Sequence, residues 1–211
     1  MSFNRKGVRR MTTDHAVRSQ RAWARIAGLM YWIVLVADLT GMQLHSTAMG
    51  RSLTLAGSLF TVPLGLGLYY AVRPVQTVLA ASALGFRLLE AALGFISTVA
   101  GFTVVRTQLA DSSLGTFLLH LAHWDNKTAF AAFVFTIGST IFFYLFVKSG
   151  YISRVLAWWG LFASVVAMAA CLMHLLQPSF PAMTMYAWIP MLLAETSTGL
   201  WLLIKSVKVA D

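Results

Sequence analysis

Residues 129–147 read AFAAFVFTIGSTIFFYLFV, nineteen residues without a charged side chain. As an α-helix at 1.5 Å per residue this stretch covers about 28 Å, close to the hydrocarbon thickness of a bilayer. A core helix of a soluble domain needs one apolar face, whereas this run is apolar all round. Five further stretches are predominantly apolar over a similar or greater length: 24–42, 52–72 and 75–105 before it, 153–176 and 182–204 after it. The third is longer than a perpendicular span requires, so it must tilt or extend past the hydrocarbon. The sequence therefore predicts an all-α polytopic transmembrane bundle of six spans. These use nearly the whole chain of 211 residues and leave no room for a separate soluble module.

Composition agrees. Charged residues make up 11% and hydrophobic residues 58%, with a mean hydropathy of +0.73. A soluble domain carries about a quarter charged residues, because its surface must face water. The single cysteine, Cys171, excludes an internal disulfide and a multi-cysteine metal site. The net charge of +9 does not point to nucleic acid: Lys and Arg sit at span ends, and no basic stripe with interleaved aromatics occurs.

Those end charges set an expected orientation. With the N-terminus inside, Arg5, Lys6, Arg9, Arg10, Arg18, Arg21, Arg25, Arg73, Lys148, Arg154, Lys205 and Lys208 all lie on the inner side. Only Arg51, Arg106 and Lys127 lie outside. This bias predicts both termini in the cytoplasm and a place in the cytoplasmic (inner) membrane. Residues 1–23 read as a basic cytoplasmic tail and 24–211 as the six-helix transmembrane domain. The first apolar stretch is longer than a signal-peptide core and no A-x-A-like site follows it, so it is expected to be an uncleaved span. The mixed segment at about 106–128 is expected on the outer side. Asp111, Ser112 or Ser113 would cap an amphipathic helix to about residue 122, and Asp125 or Asn126 would cap the fourth span.

Several segments together resemble a bacterial six-span membrane family catalogued as a domain of unknown function. They are ARIAGL at 24–29, RLLE at 87–90, GSTIFFYL at 138–145, SRVLAWWGL at 153–161, and Glu195 with LWLLIK at 200–205. The resemblance covers nearly the whole chain and implies the six-span topology. It implies no activity.

Chemistry is expected where ionisable groups fall inside spans, since each costs a few kcal/mol or more at the bilayer centre unless paired or hydrated. Asp38 lies in the first span, Arg87 and Glu90 in the third and Glu195 in the sixth. Arg87 and Glu90, at i,i+3, share a helix face. Pro190, five residues before Glu195, leaves a carbonyl near Tyr186 without its helical donor. If the spans converge, three carboxyls meet one permanent cation. A carboxyl in excess of cations could serve as an acid–base catalyst, a proton carrier or a hydrogen-bonding brace between helices.

On the outer side His120, His123 and Asp125 have a spacing that suits a divalent metal, against the alternative of interfacial histidines and a helix cap. A haem would need His45 and His174 on facing helices. Otherwise no cofactor is expected, and no phosphate-loop, nucleophile-elbow or dinucleotide motif occurs in a usable context. A short echo, Glu90 with Gly94 and Glu195 with Gly199, raises the possibility of two inverted three-span halves. Three functions compete. One is a site that binds or transforms a lipophilic small molecule by isomerase- or cyclase-like acid–base chemistry. The others are a small proton-coupled carrier or channel, and a non-enzymatic partner or assembly subunit. Beyond the lipid bilayer and such a molecule, partners and oligomeric state are not legible.

Overall fold

The computed structural model describes residues 5–44, 47–107, 112–128, 130–177 and 181–208. Side chains are described from 15 onward, except 105–106, 123–128 and 181–185. The described residues are helical in seven pieces: α1 (Arg5–Gln43), α2 (Ala48–Val72), α3 (Thr77–Thr107), α4 (Ser113–Thr128), α5 (Phe130–Ser149), α6 (Arg154–Leu176) and α7 (Pro181–Ile204). Six of them, all but α4, are long and apolar enough to cross a membrane. Their outward faces carry large apolar side chains such as Val78, Val155, Phe162 and Leu176. Lipid solvates such a surface at no cost, so packing rather than hydrophobicity must hold the helices together.

The helix ends follow local chemistry. The Thr47 hydroxyl accepts from Gly50 N at the start of α2, and Ser153 caps α6 by accepting from Leu156 N. Gly150, at φ +66°, ends α5 in the left-handed conformation that glycine adopts without strain. The described part of the basic segment is helical, and α1 runs unbroken from Arg5 through the first span.

The six long helices stand in a ring in the order α1, α2, α3, α5, α6, α7, with α7 closing against α1. A two-fold axis in the membrane plane would make α1–α2–α3 and α5–α6–α7 circle in opposite senses. They circle in the same sense, so this packing does not express an inverted repeat, despite the echo around the two glutamates. The most enclosed helix is α5, whose Phe142, Phe143 and Phe146 fill the core beside Leu64, Leu68 and Leu202.

The long third span is explained by α4. Ser112 starts α4 by accepting from Gly115 N, and the Ser97 hydroxyl donates to Ala122 O, so α4 doubles back along the end of α3. The third span thus extends beyond its neighbours and is covered there by α4. Asp125 and Asn126 lie within α4 rather than at the head of the fourth span, which opens at Phe130.

Candidate functional site

Three hydrogen bonds mark one level near the end of the bundle where α1 and α3 begin their spans. Gln20 Nε2 donates to Ala71 O, Lys148 Nζ donates to Gln76 Oε1, and Ser206 Oγ donates to Arg21 O. Counted along the helices from that level, Tyr31, Arg87 and Glu195 come out together, about 16 Å in. Glu90 follows at about 21 Å and Asp38 at about 27 Å. The first three therefore sit near the middle of a hydrocarbon layer about 30 Å thick.

At that middle level Arg87 bridges two carboxylates. Its Nη1 donates to Glu90 Oε2 at 3.1 Å, and its Nη2 donates to Glu195 Oε1 at 2.9 Å. The Glu90 bond is the i,i+3 pair within α3. The Glu195 bond crosses the ring, because α3 and α7 are opposite rather than adjacent. The Arg87 side chain is 3% exposed, yet Glu90 and Glu195 keep 22% and 18%. The cation is sealed, and the two glutamate side chains each keep part of their surface accessible.

Neighbouring helices make room for this. Gly65 of α2 and Gly138 of α5 pinch α3 at Arg87. A Cβ on Gly65 would lie 3.2 Å from Arg87 Cβ, and one on Gly138 would lie 3.1 Å from Phe86 Cβ. The Phe135 ring lies 4.4 Å from the guanidinium carbon, and Trp188 packs on Phe135 with centroids 5.5 Å apart. A desolvated cation over an aromatic face gains about 2 kcal/mol or more, which partly offsets its removal from water. Tyr31 of α1 faces the same guanidinium and both glutamates.

Asp38 lies within electrostatic reach of Glu195 and Glu90 and packs against Gly57 of α2, where a Cβ would overlap its Oδ1. Among the described buried polar atoms without a hydrogen-bond partner, Arg87 Nε, Ser139 Oγ, Thr198 Oγ1 and Trp32 Nε1 belong to the site or lie close to it in sequence, whereas Trp201 Nε1 lies toward the basic end. Ser139 follows Gly138, Trp32 follows Tyr31, and Thr198 is one turn beyond Glu195.

The four span residues singled out in the sequence thus come together: Arg87, Glu90 and Glu195 in direct contact, and Asp38 above them. Tyr31, Phe135, Trp188, Ser139 and Thr198 carry no sequence signal that separates them from other membrane residues. The outer histidine cluster is another matter. His120 is exposed, while the side chains of His123 and Asp125, like residue 45 of the haem pair, lie outside the described residues.

Residues 42–206 match the model of a family described as Domain of unknown function (DUF4386). The match takes in every resembling segment except the opening ARIAGL. No curated protein and no solved structure matches the chain.

Proposed function

We propose that this chain, which belongs to the DUF4386 family, is an integral membrane protein that binds a lipophilic small molecule at the Arg87–Glu90–Glu195 centre. Its carboxyls would act on that molecule by acid–base chemistry of the isomerase or cyclase kind. The observation that carries this reading is the contrast between a sealed guanidinium and two glutamate side chains that each keep part of their surface accessible. A brace has no need of accessible surface, whereas a proton-transfer group must reach its substrate. The unpartnered donors at Trp32, Ser139 and Thr198 support the same reading. Unsatisfied buried donors each cost about 1–3 kcal/mol, and a carbonyl or hydroxyl oxygen on a ligand would satisfy them. Asp38, about 27 Å from the marked level, would then line the approach from the far side. We place that far side outside the cell, with the basic end in the cytoplasm and the protein in the inner membrane.

The test is retention. The purified protein and its Glu90→Gln and Glu195→Gln variants are extracted with organic solvent, and the extracts compared by mass spectrometry. The expected result is a compound retained by the native protein and reduced about tenfold in either variant, a loss of about 1.4 kcal/mol in affinity, with thermal stability little changed. Equal retention of the same compounds by all three proteins rejects the reading.

One observation favours a second reading. Because α3 and α7 are not neighbours, the Arg87–Glu195 bond is the described side-chain tie across the ring, and the cluster could be an internal brace of a non-enzymatic subunit. Strong stability coupling between Arg87 and Glu195, with unchanged retained compounds, selects it. The carrier reading keeps the carboxyls but has no support from a repeat.

A further inference from the structure

At the end of α7 the chain does something that charge bias alone does not require. Ser206 adopts φ 58°, and its N–H donates back to Trp201 O and Leu202 O, closing the helix with a left-handed turn. Its hydroxyl is bound to Arg21 O of α1, and Lys208 N donates to Tyr151 O in the α5–α6 connection. Val207 between them is buried. This clip fixes the two flanking lysines, and both turn onto one ring. Lys205 Nζ lies 4.6 Å and Lys208 Nζ 5.3 Å from the Trp201 centroid.

Two ammonium groups brought to one indole repel each other, and an aromatic face compensates only in part. Neither makes an ion pair with any described carboxylate. Around them the same end carries exposed Arg18, Arg25, Arg73 and Arg154. Lysines serving only the positive-inside bias would be free to spread apart in water. These two are both held near one ring, at the end of a membrane-length helix.

We infer that Lys205 and Lys208, set on Trp201 by the Ser206 turn, form a binding site for the phosphate of an anionic lipid headgroup. The occupant is a lipid rather than a free ion because the site lies at the end of a membrane span. Trp201 and the exposed Ile204 beside the lysines offer apolar surface to an acyl chain.

The full-length protein is placed in nanodiscs of phosphatidylcholine alone or with phosphatidylglycerol, and its unfolding temperature measured. The anionic lipid is expected to raise Tm by about 2–4 °C. The Lys205→Gln/Lys208→Gln variant should lose most of that rise, while Arg51→Gln, at the opposite end, keeps it. Bromine-labelled phosphatidylglycerol should quench a component of the tryptophan fluorescence that is absent in Trp201→Phe and weakened in the double variant. That second measurement decides the matter if the double variant unfolds in phosphatidylcholine, since Lys208→Gln alone can then be compared. The proposal is overturned if the lysine variants keep the full rise or the full quenching. It is also overturned if inorganic phosphate added to phosphatidylcholine nanodiscs reproduces the effect, which would make the site one for a free anion.

Discussion

Arg87 is the only described cation at mid-membrane depth, and its two bonds decide what happens when it is changed. Arg87→Met leaves Glu90 and Glu195 facing each other without a counter-ion. Breaking one side of a buried ion pair costs about 3–5 kcal/mol, more than the intact pair contributes over an apolar replacement. Denaturant unfolding in detergent should show a loss of that size. The triple variant Arg87→Met/Glu90→Gln/Glu195→Gln should recover a large part of it, because no unpaired charge remains. A triple variant no more stable than Arg87→Met would show that the ion cluster is not the source of the loss. The residue types here were legible in the sequence, since a charge inside an apolar span stands out by its cost. Their partners were only half legible. The i,i+3 spacing pairs Arg87 with Glu90, but nothing local connects Arg87 to a residue 108 positions away.

At the scale of elements, close approach is bought by glycine, and the consequences are testable at Gly57. A side chain there overlaps the Asp38 carboxylate, so Gly57→Ala should destabilise by about 1–3 kcal/mol through overpacking. Asp38→Ala removes the obstruction, and the double variant should therefore lose less than the sum of the two single changes. Strict additivity in the same unfolding assay would mean that α1 and α2 are not in contact as described. The helices themselves follow from apolar length and from caps such as Thr47, Ser153 and Gly150. The reach of α3 did not. Its sequence fits tilt and extension equally well, and only the Ser97–Ala122 bond shows that α4 lies along its end. The head of the fourth span was misjudged for a related reason. Asp125 and Asn126 have capping side chains, but a helix that is already running continues through such residues when tertiary contacts hold it.

For the whole molecule, the ring brings Arg25, Arg73, Lys148, Arg154, Lys205 and Lys208 to one end, with Arg51 at the other. In the orientation proposed from the positive-inside bias, that basic end lies in the cytoplasm. Cys171 is fully buried, so the native chain gives little background to a membrane-impermeant thiol reagent. In intact cells Met49→Cys should label from outside, and Val155→Cys only after the membrane is opened. The reverse pattern would invert the assignment, with the acidic residues then opening toward the cytoplasm.

The sequence by itself determined that the chain has six spans long and apolar enough to cross a membrane, and that Asp38, Arg87, Glu90 and Glu195 lie inside them at a cost. Both follow from the energetics of single segments in hydrocarbon, which are local and additive. Only the tertiary structure decided that α3 and α7 stand opposite, that Arg87 closes the distance between them, and that Phe135, Tyr31 and Trp188 surround it. In lipid the helices have no hydrophobic drive to choose neighbours, so the ring order rests on small-residue contacts and polar ties between distant parts of the chain. Such contacts leave no periodic trace in a single sequence. Whether two glutamates and an arginine meet or remain three isolated costs is decided at that level.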